Sequence, residues 1–560
     1  MSLKDFNYSK EKNVLTKKYL VPKAVVCSKD AQNTEHLMSD GLRQPLHRDG
    51  VQNCVISKGG YVLLDFGSEL SGGIEITVYN VEDTASTGEI CTNGRLHIVF
   101  GESICEALSD IGDGKGSVND HSTRDMIVHT TALSNMRYGS TGFRFVRIEA
   151  LDADVYIATV KGVLEYKDID YKGSFSCSDD KLNKIYDTAV YTVHLNMHNF
   201  VMEGVKRDRL VWIGDFHPEM STIMSVFGYD DSVENTLDFA RDNYPITEQS
   251  KWMIFPSYSC WWIIAHKDWY MQNGRLDYLL EQKEYMYALC NALTDGIHPD
   301  GSLNLCDNED FYFVDWSSCQ TPEMEAGFRA CLKLGLEAAS YIFKVYGDAD
   351  MSAKCLESAA YLSKVEKTYE GNKQVCGIVA LADLYKHDDI YDKLSNNLPY
   401  GMSTFYGYYV LLALAKGGKH SEAIEAMRAY WGAMLDVGAT SFWEDFDMEW
   451  LDNCSGIDEI PCEGKNDIHS SYGKFCYEKL RLSLCHGWAS GPAPFMARHI
   501  LGVNILEPGC RKISIKPHLG SLTWAKGTYP TPYGTVEIEH TLENGKVVTK
   551  VNAPKEVEIV

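Results

Sequence analysis

Acidic and basic side chains are concentrated between Glu203 and Glu219, in the segment EGVKRDRLVWIGDFHPE. Most charged runs are solvated, salt-bridged loops, but the apolar run LVWI at 210–213 should draw this one into the interior. A buried carboxyl group must be paired or have a shifted pKa, and both conditions can produce an acid catalyst. From these residues alone, a functional site and a salt-bridged loop are about equally favoured.

Tryptophan usage is the second chemical signal. No tryptophan occurs before Trp212, and most of the eleven lie between it and Trp488. Large aromatic side chains often fill helical cores, yet several of these stand beside acids, in RLVWIGD, VDWSS and SFWEDFDMEW. An aromatic face beside carboxylates suits a sugar, which presents an apolar C–H face and a rim of hydroxyls. A sugar site is therefore expected in the middle of the chain.

Three regions would position these residues. Residues 1–170 contain short runs rich in Val, Ile, Phe and Tyr between turn signals, which predicts a jelly-roll-like β-sandwich. Residues 171–504 have helical spacing of apolar residues, with an N-cap signal at Ser178, and favour a ring of paired antiparallel helices. Residues 505–560 return to strands and hairpin turns, which predicts a second β-sandwich.

The predicted boundaries of individual elements are specific enough to test. Strands are predicted at 61–66, 73–81, 95–100, 143–150 and 155–166, where β-branched and aromatic residues cluster. About a dozen helices are expected, including those at 323–347, 375–385, 403–415, 421–435 and 487–501.

Composition limits the class of protein. At 560 residues the chain exceeds one hydrophobic core, so about two to four domains are expected. The formal net charge of −25 argues against a nucleic-acid partner and leaves a neutral sugar open. The apolar stretches are too short to span a bilayer, so no membrane partner is expected. Exposed sandwich faces could serve a homodimer.

Cysteine usage bears on the compartment. The seventeen cysteines are scattered, odd in number and without a C-x-x-C pair, so most should be free, buried thiols, which suits a reducing cytoplasm. The opening residues MSLKDFNYSKEKNV lack the apolar core of a signal peptide. A cytoplasmic location is therefore predicted. Zinc-protease, EF-hand, P-loop and serine-hydrolase motifs are missing from the sequence, so neither a metal nor a cofactor is expected.

Three ordered motifs resemble the α-L-rhamnosidases of glycoside hydrolase family 78. The first is RDRLVWIGD at 207–215, which is similar to the family's loop of R-E-R or R-D-E-R followed by W-x-G-D. The second is GATSFWE at 438–444, which is similar to G-A-T-T-x-W-E. The third is SLCHG at 483–487, which resembles S-x-N-H and leads toward PGCRKISIKP. The resemblance covers about residues 173–536, in the family's order.

The resemblance implies a fold and an activity. The family has an (α/α)6-barrel catalytic domain with flanking β-sandwiches, and it hydrolyses terminal α-L-rhamnosides with inversion. An inverting hydrolase needs one carboxylic acid to protonate the leaving oxygen and a carboxylate, roughly 6.5–9.5 Å away, to deprotonate water. By resemblance, Asp208 holds the acid position and Glu444 the base position.

The same resemblance assigns the substrate contacts. Acids would hydrogen-bond the sugar hydroxyls, and an aspartate–tryptophan pair would form part of the rim of the sugar pocket. A histidine would contact the sugar or the general base. The residues in these positions are Glu203, Arg207, Trp212, Asp215, Asp315, Trp316, Trp443 and His486.

The chain also departs from the family pattern. Asp208 stands where the family has Glu, which moves the acid back by one methylene, roughly 1.5 Å. Glu203 stands where the family has Asp, and its longer side chain is expected to compensate for the shorter Asp208. Lys206, Val211 and Cys485 also replace commoner residues. These departures indicate a divergent branch with a changed substrate or weak activity.

Two other classes of protein stay open. A carbohydrate-binding homologue that has lost the acid would bind sugar without turnover. Another carboxylate enzyme on the same helical ring, such as a different glycosidase or a polysaccharide lyase, is the third possibility. A lyase would release an unsaturated product and would need a basic subsite for uronates. The acidic sequence gives no sign of such a subsite.

Other polar residues carry weaker signals. His217 and Glu219 could contact substrate, although a network at the start of a helix explains them equally well. His266 is expected to be a satisfied core histidine. Asp445 and Asp447 suggest a cation, but they lack a compact loop of oxygen ligands.

Overall fold

The computed structural model describes residues 9, 13–46, 52–82 and 93–560, apart from 307 and 388. Most of the opening segment used for the signal-peptide prediction lies outside these ranges. Within them, every helix is too short or too polar to cross a bilayer. The cysteines of the described residues are free thiols, and most are buried.

The N-terminal region is an antiparallel sheet of seven strands in the order β1-β7-β3-β6-β4-β5, with β2 also paired to β3. A four-residue helix, α1 (Ile104–Ala107), follows β4. The strands are β1 (Leu15–Leu20), β2 (Ala24–Gln32), β3 (Cys54–Glu82), β4 (Asn93–Gly101), β5 (Asp125–Thr131), β6 (Ser134–Ala150) and β7 (Asp154–Lys167).

The β character of this region is confirmed, with one difference in its construction. The strands predicted at 61–66 and 73–81 are parts of the single strand β3, which changes register by bulges and not by a turn. Because bulges bend a strand without ending its pairing, β3 pairs with β2, β6 and β7 in turn. One hydrogen-bonded sheet therefore folds over an apolar core that includes Ile74, Phe100 and Phe143.

The middle of the chain is helical, as predicted. Contacts between successive helices close into a ring, in the order α2, α3, α5, α8, α10, α12, α13 and back to α2. The helices are α2 (Asp180–Asn196), α3 (Phe216–Val226), α4 (Asp231–Asn243), α5 (Pro256–Asn273), α6 (Leu276–Glu281), α7 (Lys283–Asp295), α8 (Met324–Val345), α9 (Ala349–Tyr361), α10 (Lys373–Leu381), α11 (Ile390–Ser395), α12 (Gly407–Lys416) and α13 (His420–Asp436).

Local chemistry explains where helices begin and break. The cap of α2 is Asp179, one residue after the predicted Ser178, and its carboxylate accepts hydrogen bonds from two first-turn amides. The helix predicted at 487–501 is wrong as one element. It is a 3₁₀ turn, the four-residue α14 (Pro492–Phe495) and a π turn at 496–500. Two prolines, at 492 and 494, remove amide donors there.

Two small sheets form the C-terminal region. Strands β11 (Val503–Glu507), β12 (Lys512–Ile515) and β16 (Glu558–Ile559) make one sheet. The other contains β13 (Trp524–Thr531), β14 (Gly534–Glu543), β15 (Lys546–Asn552) and a strand from far upstream, β8 (Ser174–Cys177), which pairs with β13. The predicted boundary at 170/171 misses this exchange, because pairing between distant segments leaves no local pattern. Two short strands, β9 (Cys454–Ser455) and β10 (Asn466–Asp467), pair within the helical region.

Candidate functional site

The loop between α2 and α3 carries the first motif in an unusual backbone conformation. Its ends are joined by a bridge between Glu203 and Leu210. Asp208 and Arg209 are consecutive non-glycine residues with φ of 60° and 52°. Left-handed backbone costs of order 1–3 kcal/mol at each such residue unless the surroundings impose it. The loop is therefore held by its contacts and not by its own preference.

Arg207 joins the two predicted catalytic acids. Its side chain is fully buried. Nη1 donates to Asp208 Oδ1 at 2.6 Å, and Nη2 donates to Glu444 Oε1 at 2.7 Å and Oε2 at 2.5 Å. The guanidinium also lies 3.7 Å from the centre of the Tyr477 ring. Arg207 was expected to bind sugar, whereas here its donors are directed to the two acids and, from Nε at 3.2 Å, to the carbonyl of Arg481.

The spacing of the acids differs from the expectation. One oxygen of Asp208, one of Glu444 and one ring nitrogen of His486 lie within 4.8 Å of one another. This approach is closer than the roughly 6.5–9.5 Å of an inverting pair, because a single guanidinium draws both carboxylates to itself. Three such groups have the spacing of metal ligands, but Arg207 already supplies a cation beside two of them.

The two acids have opposite pKa shifts. Burial raises the pKa of Asp208 to about 6, with Arg207 acting in the other direction. Burial also acts to raise the pKa of Glu444, but Arg207, His486 and the amide of Ser483 outweigh it and hold that pKa below its ordinary value of 4.5. The Ser483 N–H donates to Glu444 Oε2 at 3.0 Å. Near pH 5, Asp208 is mainly protonated and Glu444 mainly ionised.

Glu203 is fixed by the third motif. Its carboxylate accepts the N–H of Gly487 at 2.7 Å and the N–H of Trp488 at 2.6 Å. Burial, with the nearby charges of Glu219 and Asp215, raises its pKa well above the ordinary range. The expectation that Glu203 compensates for the short Asp208 is not supported by these contacts, because moving it toward the acid would leave two buried amides unpaired.

Two further acids line the same region. Asp215 is buried and accepts the Tyr258 hydroxyl at 3.2 Å, while burial and the charge of Asp208 raise its pKa well above normal. Asp315 accepts the Ser317 hydroxyl at 2.5 Å, and burial raises its pKa to about 6. Protonated carboxyl groups can donate as well as accept, as the hydroxyls of a sugar require.

The predicted aromatic contacts fall into different environments. Trp316 is 42% exposed and meets Phe313 edge to face, as a residue at the rim of a site would. Trp212 is half-buried against the core. Trp443 is only 1% exposed and packs on Phe446, so its ring offers no open face in this structure.

His486 stands at the centre of the cluster. Its Nε2 lies 3.7 Å from Glu203 Oε1, and its ring meets Trp488 edge to face with centroids 4.4 Å apart. Burial lowers the pKa of His486 to about 4, so the imidazole is neutral near pH 7. Its Nδ1 is buried and has no hydrogen-bond partner among the described residues.

The sequence motifs did not include two tyrosines that lie at the site, and two histidines with weak functional signals have structural roles. Tyr258 donates to Asp215 and the Tyr477 ring lies against Arg207, but neither tyrosine lies in a motif. His217 bonds Tyr409 and Asp268 within the core. His266 bonds the carbonyl of Trp262, as a core histidine would.

The acids that suggested a cation have protein partners instead. Asp445 accepts the backbone N–H groups of Lys474 and Phe475. Asp447 pairs with the Lys474 ammonium at 2.5 Å. Both carboxylates are therefore satisfied by the 474–475 segment.

The described residues form a closed ring of helices between β-sheet regions, and the ring brings several buried carboxyl groups together. Residues 170–329 match the bacterial alpha-L-rhamnosidase 6 hairpin glycosidase domain, and residues 502–560 match the bacterial alpha-L-rhamnosidase C-terminal domain. Two segments of the chain thus match domains of the bacterial alpha-L-rhamnosidases, which confirms the resemblance predicted from the three motifs.

Relatives and solved structures agree with this assignment. An alpha-L-rhamnosidase of Formosa agariphila is 23% identical over 561 residues, covering 90% of this chain and 55% of that protein. The chain spans about half the length of the curated relatives it matches. Among structures, the GH78 rhamnosidase of Bacillus sp. GL1 has a TM-score of 0.72 at 20% identity, covering 94% of this chain and 55% of that one.

A second structure matches over nearly its whole length. The rhamnosidase from Klebsiella oxytoca, solved with rhamnose bound, has a TM-score of 0.69 at 19% identity, and the match covers 86% of this chain and 96% of that one. At these identities the likeness concerns the fold.

Proposed function

We propose that this chain is an inverting exo-glycosidase that removes terminal α-L-rhamnose, or a sugar of like stereochemistry, from a glycoside. The observation that carries the proposal is the pair Asp208 and Glu444, two carboxyls on one arginine whose pKa values are shifted in opposite directions. We also infer that the helical ring is an (α/α)6 barrel. The matched glycosidase domain supports both inferences.

In the proposed reaction, protonated Asp208 donates its proton to the glycosidic oxygen as the bond from the anomeric carbon to that oxygen breaks. Ionised Glu444 takes a proton from a water that attacks the anomeric carbon from the opposite face. The leaving group departs as an alcohol, and the sugar gains a hydroxyl of inverted configuration. Arg207 keeps Glu444 ionised through Nη2, which donates to both carboxylate oxygens.

The close approach of the acids places a condition on this mechanism. A sugar and a water must fit between them, so Asp208 has to leave Arg207 when substrate binds. The Asp208 side chain is 12% exposed and makes one bond to Arg207, whereas Glu444 makes two and is 2% exposed. Asp208 is therefore the partner that moves.

The remaining contacts would orient the sugar. Protonated Glu203 and Asp215 can exchange hydrogen bonds with its hydroxyls, and neutral His486 has a ring nitrogen within 4.8 Å of both acids. Trp316 at the rim would cover the C–H face of the sugar or of the aglycone.

The test is turnover of an aryl α-L-rhamnoside by the wild-type chain and by variants. We expect Asp208→Asn and Glu444→Gln each to lower kcat by roughly 10²–10⁴-fold, because each removes one proton transfer. Glu449→Gln is the matched control, since Glu449 is an exposed acid five residues after the base. Normal rates in both site variants would refute the assignment, and sugar binding without turnover in the wild type would favour a binding homologue.

The stereochemical outcome is a separate test. Proton NMR of the first product formed should show β-L-rhamnose, which then equilibrates with the α anomer. If α-L-rhamnose appears first, the close acids act as a retaining pair, and the proposed water attack is wrong.

A further inference from the structure

We propose that the N-terminal sheet region supplies positioning residues for the general acid, namely His121, Ser122 and Ser140. These residues hold the backbone of the acid loop, defined as residues 206–209, in the left-handed conformation that aims Asp208 at Glu444. The assignment rests on the proposed function only for the role of Asp208.

Each of the three residues contacts the acid loop across the boundary between the sheet and the helical ring. A ring nitrogen of His121 donates to the carbonyl of Asp208 itself, at 3.2 Å. The hydroxyl of Ser122 donates to the carbonyl of Lys206 at 2.8 Å. On the other side, the Arg209 guanidinium donates to the carbonyl of Ser140 and lies 3.3 Å from its hydroxyl. The contacts bracket Asp208 in sequence.

A buried ion network anchors the start of the acid loop. The ammonium of Lys206 lies 3.0 Å from Glu102 and 3.0 Å from Glu106, and all three side chains are fully buried. Both glutamates belong to the N-terminal region. Gly142 in β6 approaches so closely that a Cβ there would lie 2.6 Å from the Lys206 nitrogen. Lys206 replaces a commoner family residue, so this anchor belongs to the chain's own departures.

Strain explains why these contacts matter for the position of the acid. Asp208 and Arg209 both have positive φ, which side chains other than glycine adopt at a cost. Without its restraints the loop would relax toward negative φ, and the Cα–Cβ bond of Asp208 would point elsewhere. The donor on the Asp208 carbonyl directly opposes that rotation. The sheet thus determines where the proton is delivered.

The sharpest test uses the exposed His121 and two substitutions matched in backbone preference. His121 itself has φ of 62°, which both Gly and Asn tolerate. His121→Gly removes the donor, whereas His121→Asn places an amide nitrogen at the same number of bonds from the backbone. Thr123→Ala is the control, because Thr123 is exposed on the same segment.

We expect His121→Gly to lower kcat on the aryl rhamnoside roughly three- to tenfold, the range of one lost hydrogen bond, with KM and Tm near the wild-type values. His121→Asn should restore most of kcat, and Thr123→Ala should change nothing. The inference is wrong if the Gly variant keeps the wild-type kcat, if Asn fails to rescue it, or if kcat falls only in proportion to Tm.

A measurement without substrate separates this inference from the proposed function. Amide hydrogen exchange in a peptide covering 203–212 should speed up in His121→Gly and return to the wild-type rate in His121→Asn. Faster amide exchange in His121→Gly, in a protein that cleaves no rhamnoside, would refute the proposed function while supporting the positioning role. Unchanged exchange in the Gly variant would overturn the positioning role, whatever the wild type hydrolyses.

Discussion

At the scale of single residues, Arg207 separates the tasks of two chemically similar acids. It gives Glu444 two hydrogen bonds and Asp208 one. Hydrogen bonds from a guanidinium to an ionised carboxylate are strong, and Nη2 of Arg207 donates to both oxygens of Glu444, so Glu444 keeps its charge. Asp208 gains less from the same cation than it loses by burial, and its pKa rises. One buried cation can therefore maintain an acid and a base side by side.

The pH dependence of activity follows from these two shifts. Turnover needs Asp208 protonated, so kcat/KM should fall on the alkaline side with a midpoint near pH 6, the pKa of that carboxyl. It also needs Glu444 ionised, so the acid limb should lie below pH 4.5. Initial rates between pH 3 and 9, with Tm recorded at each pH, check this bell shape. A plateau extending to pH 8 would contradict it.

The roles of Glu203 and Asp208 can be tested by shortening the side chain of the first and lengthening that of the second. Glu203→Asp withdraws the carboxylate by roughly 1.5 Å from the amides of Gly487 and Trp488. We expect unfolding to become easier by about 1–3 kcal/mol, the cost of unpaired buried donors, and kcat/KM to fall. Urea unfolding and initial rates measure the two effects.

The comparison that decides between compensation and fixed positioning is the double variant. Asp208→Glu with Glu203→Asp restores the residue lengths of the family pattern. If Glu203 is fixed by its amide contacts, the double variant turns over more slowly than Asp208→Glu alone. Faster turnover by the double variant would show that the two lengths compensate each other.

At the scale of elements, the segment 483–490 supplies backbone donors that hold two of the acids. Extended backbone before the 3₁₀ turn lets Ser483 meet Glu444 and lets Gly487 and Trp488 meet Glu203. The 3₁₀ turn begins at Gly487, and the first N–H groups of a helical turn have no partner within it, so the amides of Gly487 and Trp488 are free to bind Glu203.

Gly487 is the point at which this segment is most crowded. A Cβ there would lie 1.7 Å from Glu219 Oε1 and 2.8 Å from Glu203 Oε2. Gly487→Ala should therefore lower Tm and abolish most activity, as thermal melts and rhamnoside assays would record. Removing the main obstruction in Glu219→Ala with Gly487→Ala should recover part of the Tm. An unaffected single variant would mean that the acids move aside freely.

At the scale of the whole molecule, the N-terminal sheet and the helical ring share buried charges. Lys206 of the helical region lies between Glu102 and Glu106 of the sheet region, and Glu102 also accepts the Leu484 amide at 2.6 Å. Separating the regions would expose these ions singly, and a buried charge without its partner is costly. The two regions should therefore unfold together.

Lys206→Met tests this coupling. It leaves buried Glu102 without its cation and buried Glu106 with only Arg124, whose Nε lies 3.6 Å away, so we expect a loss of about 3–5 kcal/mol in the free energy of unfolding. Lys393→Met is the control, because Lys393 pairs with Glu370 and Asp389 at an exposed site and should change the free energy of unfolding little. Urea titration followed by tryptophan fluorescence measures both. Equal losses in the two variants would contradict the role of the network.

The sequence predicted the positions of the helices and strands better than the contacts between them. Helical spacing predicted α2, α8, α10, α12 and α13 to within a few residues, because a buried helical face leaves a regular apolar period. The same reasoning failed at 487–501, where prolines at 492 and 494 remove amide donors from a continuous helix. It also divided β3 in two, because a bulge and a turn look alike in composition.

The amino-acid sequence by itself determined the β–helical–β order of the chain, the three motifs and the family that they resemble. Only the tertiary structure decided that Arg207 joins Asp208 to Glu444, that Glu203 holds the 487–488 amides, and that His121 reaches the acid loop. The physical reason is the distance along the chain over which each interaction acts. Periodicity and capping act within a few residues, whereas these contacts join segments far apart in sequence and exist only when the ring and the sheet are packed.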